Sequence, residues 1–465
     1  MTTRSGFAPA VILGAALLSY FNAFRGVFQF DDFNVIVDNP AVHSLAAWLA
    51  DAPRGIRPFL KLSYALNWRC GPGPFGFHLV NVAIHGANAV LVYRLSRRLF
   101  ALRATARDAV SPAGAWFTAL LFAVHPLQTE SVTYISGRSM SLMAFCYLAS
   151  LLTYVRGVEA NSRFWLHAAS PALFLTAALT KEAALTLPLA LVLWEACHGG
   201  VRDRWKAVAR RQAAHWIVLG CAVAAMFGHP GYRRLIGFGL ASRAVGENLL
   251  SQVHGVAYLL SRAVWVHRLN IDPELPVRTG WTPALAGEAL LLLSALAAGW
   301  VALRRSPVVG FGVLWFFLQL TPSNSVIPRL DVANERHLYL ASWGIFLCVG
   351  YGLERLRSAR PGAARWVAAT AAACVILLGG FTVARNQDYR SEVALWEATV
   401  RRSPGKARAH NNLGYAYQLA GLPRDAARSY REAIRLEPGF GIALGNLATL
   451  ERMERELLRK GGRAD

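Results

Sequence analysis

The stretch SPALFLTAALTKEAALTLPLALVLW, residues 170–194, reads as two apolar helical segments interrupted by one charged pair, Lys181-Glu182. Neither flank shows the polar face that a surface helix of a soluble protein keeps toward water. About 20 apolar residues are needed to cross the hydrocarbon core of a bilayer, so the charged pair marks a water edge between two crossings.

Working outward, similar apolar runs recur on both sides. They fall near 8–25, 79–98, 113–128, 140–155, 164–180, 183–198, 213–228, 283–303, 307–321, 338–353 and 365–384. The pattern predicts an all-α, polytopic membrane protein of about 11 transmembrane helices. Composition agrees. The chain of 465 residues is 54% hydrophobic and 16% charged, where soluble proteins carry about 25% charged residues. The first run has no small-residue cleavage site after it and is read as an uncleaved helix. Leu249–His267 carries Gln252, His254, Arg262 and His267, and is expected as an interfacial or re-entrant helix rather than a crossing.

The net charge of +22 would suggest nucleic acid in a soluble chain. Here the basic residues fall at every second connection: Arg94, Arg97, Arg98, Arg103 and Arg107; Arg156 and Arg163; Arg202, Arg204, Lys206, Arg210 and Arg211; Arg304 and Arg305; Arg355, Arg357, Arg360 and Arg365. The positive-inside rule makes these loops cytoplasmic, and no nucleic-acid partner is expected. The N-terminus is then cytoplasmic and the C-terminus external. The opposite connections hold Asp31, Asp32, Glu130, Arg138, Lys181, Glu182, Asp331, Glu335 and Arg336. Ionisable groups gathered at one membrane edge are candidates for function. The six cysteines form no framework, and neither a disulfide nor a cysteine metal site is expected.

From Ala407 the pattern changes. Leu413, Gly414, Tyr417, Ala426, Tyr430, Ala433 and Pro438 sit at the offsets of the 34-residue tetratricopeptide repeat. Small Gly414 and Ala426 let paired helices approach, and Pro438 stops the second one. Half-repeats flank this unit at 392–404 and 441–458. The expected division is a transmembrane domain at 1–385 and a short tetratricopeptide-repeat module at 386–465, serving either as an assembly adaptor or as a cradle for an acceptor polypeptide.

The outward motifs carry the chemistry. Asp31-Asp32 follows the first span, and adjacent carboxylates suit a general base or a metal ligand, although Asp also caps helices and turns. Arg57-Pro58-Phe59 comes next. His78, Asn81, His85 and Asn88 share one helix face; for the last three, helix–helix hydrogen bonding is the favoured role. His125-Pro-Leu-Gln-Thr-Glu130 leads to Gly137-Arg138-Ser139, and Glu335-Arg336-His337-Leu-Tyr339 opens the tenth span. Lys181 with Glu182, and Glu335 with Arg336, could pair with each other as plain salt bridges. Otherwise Arg138, Lys181 and Arg336 on one side would form a phosphate-binding site.

In this order the motifs resemble the transmembrane-and-tetratricopeptide-repeat O-mannosyltransferase family and its bacterial relatives, within the C-type glycosyltransferase superfamily. The resemblance covers nearly the whole chain. Met140 and Ala341 depart from the family's acidic residue and proline, and the repeat array is short. The resemblance implies a C-type glycosyltransferase fold and a bacterial inner-membrane location. It also implies transfer of a hexose, mannose among them, from a polyprenyl-phosphate carrier to an acceptor hydroxyl, Ser or Thr of a secreted protein, on the outer face. Asp31 and Asp32 would be the catalytic carboxylates, Asp31 preferred as base. Arg138, Lys181 and Arg336 would bind the donor phosphate. Arg57, His78, His125, Glu130, Glu182, Glu335 and Tyr339 would support them. The expected partners are the lipid-linked sugar, membrane lipids and an acceptor polypeptide held by the repeats. The cofactor is open, a divalent cation being compatible but not required. Two alternatives stand beside this reading: a C-type transferase acting on a glycan or lipid, and a non-catalytic scaffold recruiting partners through the repeats.

Overall fold

The computed structural model describes residues 7–102, 113–198 and 201–461, side chains at 201–203 and 457–461 excepted. Arg103 and Arg107, and the side chain of Arg202, fall outside the described residues. Among the described residues the chain is helical without a strand, and each of the eleven apolar runs is helix or tight helical turn.

Five helices are long and apolar enough to cross a membrane: Phe7–Arg25, Pro74–Ala101, Ile135–Glu159, Pro283–Arg305 and Pro361–Tyr389. A sixth is obtained if Arg204–Gly228 and Pro230–Ser242, bent by 76°, count as one broken span. The remaining runs are shorter. Ala113–Val124 has 12 residues, which at about 1.5 Å each span about 18 Å, against a hydrocarbon core of about 30 Å. The expected count of eleven therefore exceeds what length and apolarity establish among these helices.

The core forms where Pro74–Ala101, Ala113–Val124, Arg138–Glu159, Pro307–Leu320 and Leu338–Ala359 meet. Gly312 and Gly344 face each other there, and a Cβ on either would run into the other's backbone. Small residues at such a crossing let helix backbones touch, a packing mode suited to lipid surroundings. Trp315 and Trp343 fill the adjoining space with ring centroids 4.5 Å apart. The peripheral helices show the opposite distribution. Pro283–Arg305 exposes Leu290, Leu291, Leu293 and Trp300, and Ala364–Asn386 exposes Trp366, Ile376 and Leu377. Contiguous apolar faces of this kind belong against lipid. The chain is a multi-pass membrane protein.

The helix Val245–Arg262 differs from these. Its buried face is polar, with Asn248, Ser251, Gln252 and Arg262, and it is not among the helices that qualify as spans. Gln252 donates to the Val332 carbonyl at 3.0 Å, tying this helix to the loop that precedes Leu338–Ala359.

The last helices, Glu392–Arg402, Ala407–Leu419, Pro423–Leu436 and Gly441–Gly461, pack in sequence order. Gly414 lies flat on the Tyr430 ring, where a Cβ would collide. Gly421 takes the left-handed conformation, φ +71°, that glycine adopts without penalty at a helix end. This unit docks on the membrane part through ion pairs and hydrogen bonds. Lys406 pairs with Asp272. Arg408 donates to Asp272 through Nε at 2.9 Å and to Asp331 through Nη2 at 2.6 Å. Ser403 Oγ accepts from Asn270 at 2.7 Å and donates to the Asp272 carbonyl at 3.0 Å.

Candidate active site

A cavity of about 210 Å³ opens where the outward connections converge. Its wall draws on Phe30 and Asp31 after the first span, Glu130 and Tyr134 before Ile135–Glu159, Ile271 and Asp272 after Val245–Arg262, and residues 330–336 before Leu338–Ala359. Trp396 and Arg408 complete it from the C-terminal helices.

The two adjacent aspartates point apart. Asp31 reaches the cavity, and its backbone N–H donates to the Tyr134 hydroxyl at 2.9 Å. Phe30 just before it has φ +48°, a left-handed conformation uncommon for an aromatic residue; such outliers gather at functional sites. Asp32 is fully buried. Its carboxylate accepts from the Gln29 N–H at 3.0 Å, the Ser136 N–H at 2.8 Å and the Ser136 hydroxyl. It fastens the first external loop to the turn before Arg138, so its geometry is that of a structural tie.

The sequence-adjacent charges do not pair with each other. Glu182 accepts from Arg57 at 2.6 Å. Glu130 accepts from the Arg336 backbone N–H at 3.0 Å, and its other oxygen lies 3.7 Å from Arg336 Nε. Glu335 accepts from the Tyr258 hydroxyl and the Asn270 N–H, both at 2.8 Å.

The expected phosphate triad is not brought together at the cavity. Arg336 is there, its side chain 27% exposed. Arg138 is fully buried. Its guanidinium donates to Asn81 Oδ1 at 2.6 Å, Asn67 Oδ1 at 2.7 Å and the carbonyls of Phe77 at 2.9 Å and Ser63 at 3.3 Å. Tyr64 and Phe77 stack on it. Four of its five N–H donors are met in this way, which leaves little for a ligand. Lys181 is also buried, and its ammonium donates to Ser139 Oγ at 3.1 Å. Burial, with the Arg57 and Arg336 charges adding to it, pushes that ammonium well below the usual lysine range. Neither residue lines the cavity.

The other supporting residues are internal. His85 bonds the Tyr339 hydroxyl at 2.9 Å and the Ala123 carbonyl at 3.0 Å, and Asn88 donates to Tyr339 and to the Ser141 carbonyl. Together with Asn81 they stitch helices, the role favoured from their spacing. His78 packs on the backbone of Gly26, where a Cβ would collide with its ring. His125 caps the turn Pro126–Gln128 by accepting from the Leu127 N–H. Among the described residues no group of three His, Cys, Asp or Glu is placed to hold a metal.

Sequence reasoning missed Trp396, Arg408 and Asp272, and gave no role to Arg329. Arg329 is half-buried and has no hydrogen-bond or ion-pair partner among the described residues. It lies in the field of Glu182, Arg57 and Arg336, and burial lowers its pKa. An arginine without a partner beside Arg336 had no signal in the loop sequence Ile327-Pro-Arg329.

Burial raises three carboxyls of this region to about 7: Asp32 and Glu335 against the hydrogen bonds they accept, and Glu130 against the Arg336 charge. A carboxyl whose folded pKa lies above its unfolded value near 4 holds its proton better in the native state. Its stabilising contribution is full below the unfolded pKa and is lost as pH rises through 7. The apparent melting temperature of the detergent-purified chain should therefore fall between pH 5.5 and pH 8.5. Glu335→Gln, which stays neutral, should flatten part of that slope.

The chain is 27% identical to the human protein O-mannosyl-transferase TMTC1 over 96% of its length, and 26% identical to Drosophila melanogaster protein O-mannosyl-transferase Tmtc3 over 91%. A Caenorhabditis elegans protein O-mannosyl-transferase, F38B6.6, is 24% identical over 92%. Its homologues are TMTC-type protein O-mannosyl-transferases. The chain spans 57%, 54% and 63% of the length of these three relatives. No family model matches it, and no solved structure does.

Proposed function

We propose that the chain is a membrane glycosyltransferase that moves a hexose, in the manner its homologues' name implies for mannose, from a polyprenyl-phosphate donor to a Ser or Thr hydroxyl of a protein on the outer face. The observation that carries this reading is the cavity itself. It joins a reachable carboxylate, Asp31, to a partly exposed guanidinium, Arg336. Every wall segment comes from a connection that the basic-loop alternation puts outside. That convergence supports an N-terminus inside and the C-terminal helices outside; eleven crossings and a bacterial inner membrane are further parts of the same proposal. The helix order and the Gly414–Tyr430 contact favour the tetratricopeptide reading of 386–465.

In the reaction the acceptor oxygen attacks the anomeric carbon while the carbon–oxygen bond to the phosphate breaks. The hydroxyl proton passes to the Asp31 carboxylate, and the bond's electron pair leaves on the phosphate oxygen. One displacement inverts the anomeric centre. Arg336, oriented by Glu130, stabilises the departing phosphate, a charge that grows in the transition state, and Arg329, in the field of Arg336, adds its charge to this edge of the cavity. Arg138 and Asp32 act behind them by fixing the helices and the first external loop. The membrane edge is the fitting place, because the donor's chain stays in lipid. Mass spectrometry of secreted proteins from cells with and without the chain tests this reading. A hexose lost from Ser or Thr supports it. A loss confined to a glycan or lipid would move the acceptor to that class, and no change in any glycan would favour a scaffold.

A further inference from the structure

Resting on that reading, we propose that the cavity holds the hexosyl group in transit and that Trp396, a residue of the C-terminal helices, positions it through its indole N–H. The C-terminal unit is then part of the sugar site as well as a platform for partners.

Two polar atoms of residues that line the wall lack a well-formed hydrogen bond. Trp396 is 1% exposed, and its Nε1 has no hydrogen-bond acceptor. Glu392, one turn earlier, feels the indole N–H as a weak hydrogen-bonding partner outside good hydrogen-bond geometry, so the N–H is incompletely satisfied. Glu130 is 3% exposed, and its Oε1, 3.7 Å from Arg336 Nε in an ion pair, accepts no hydrogen bond. Buried polar atoms are rarely left in this state unless something outside the protein completes them. One atom is a donor and the other an acceptor. A sugar hydroxyl both donates and accepts, so a polyol matches the pair.

The charge of the wall selects against the other candidates. Asp31, Glu130, Asp272 and Asp331 line it with Arg336 and Arg408, and Lys406 pairs with Asp272 and Asp331, so four carboxylates stand against three cations. A phosphate is disfavoured inside such a wall and belongs at its Arg336 edge. A neutral ring flanked by aromatic side chains is acceptable. Trp396 also has a fixed position, held edge-on to Phe30 with centroids 5.1 Å apart, while Arg408 anchors the following helix through Asp272 and Asp331. The N–H is therefore preorganised.

The test is Trp396→Phe in the full chain, which keeps a ring against Phe30 and removes the N–H. With mannosyl-phosphoryl polyprenol as donor and a Ser/Thr peptide as acceptor, kcat/KM for the donor should fall about tenfold, the worth of one buried hydrogen bond at the upper end. The loss should appear in the donor KM, with the acceptor KM unchanged. A change in the acceptor KM alone would make Trp396 a peptide contact and overturn the proposal, as would wild-type donor kinetics. A second measurement does not depend on the variant folding or on turnover. The sugar-bearing lipid phosphate should raise the melting temperature of the wild-type chain more than sugar-free polyprenyl phosphate does. Equal shifts would mean that no sugar enters the cavity. Absence of transfer by the wild type, with the larger shift still seen, would count against the enzymatic reading and not against the sugar site.

Discussion

Asp31→Asn should lower the rate of sugar transfer by roughly 10²–10⁴-fold, the cost of losing a general base, while the protein folds and binds donor as before. Asp31 reaches the cavity. Asp32→Asn should behave differently. Its carboxylate accepts three hydrogen bonds in a fully buried setting, and an amide there turns an N–H₂ group toward donors. The expected effect is a loss of stability of about 1–3 kcal/mol, seen as a lower melting temperature, with transfer by the surviving folded fraction largely retained. Initial rates in reconstituted membranes, normalised to folded protein from size-exclusion profiles, separate the two. Normal transfer by Asp31→Asn with loss in Asp32→Asn would reverse the roles.

The second large effect belongs to Arg138. Removing its guanidinium in Arg138→Ala leaves the Asn67 and Asn81 amide oxygens and the Phe77 and Ser63 carbonyls without this donor in the interior. Each unmet group costs about 1–3 kcal/mol, and together they exceed about 3 kcal/mol, a large share of a protein's stability. Arg138→Ala should yield little monodisperse protein. Arg138→Lys should be only a partial rescue, because an ammonium cannot reproduce the planar fork. Arg336→Ala should instead fold, since that side chain is partly exposed and touches Glu130 at 3.7 Å. Its defect should appear as weakened use of the lipid-phosphate donor. A well-folded Arg138→Ala with a donor defect would restore Arg138 to the phosphate site.

These two residues show where the sequence stops being informative. Apolar periodicity locates helices, because burial in lipid or core dictates residue type over many positions. It also exposes the Asn81, His85 and Asn88 stripe, whose hydrogen bonds run between helices in the structure. Charge alternation gathers Asp31, Glu130 and Arg336 onto one side, and they do meet in one cavity. Direction is not encoded in this way. Asp31 and Asp32 are chemically identical neighbours, and only the turn at Phe30 decides which one faces the cavity. Glu182 chooses Arg57, and Glu130 chooses Arg336, across more than a hundred residues, where the sequence offered adjacent partners. Trp396 and Arg408 read as ordinary repeat-helix residues, and their place in the wall depends on how the C-terminal helices dock onto Asp272 and Asp331.

Transfer of a sugar from a lipid phosphate in this cavity is open to one decisive measurement. Its most direct test is a single assay with purified full chain in liposomes, radiolabelled mannosyl-phosphoryl polyprenol and a Ser/Thr-rich peptide, run beside Asp31→Asn. The wild type should put label on the peptide through an inverted linkage, and the variant at least about a hundredfold less. Equal labelling by both proteins, or none by a wild type that is folded and binds the donor, would contradict it.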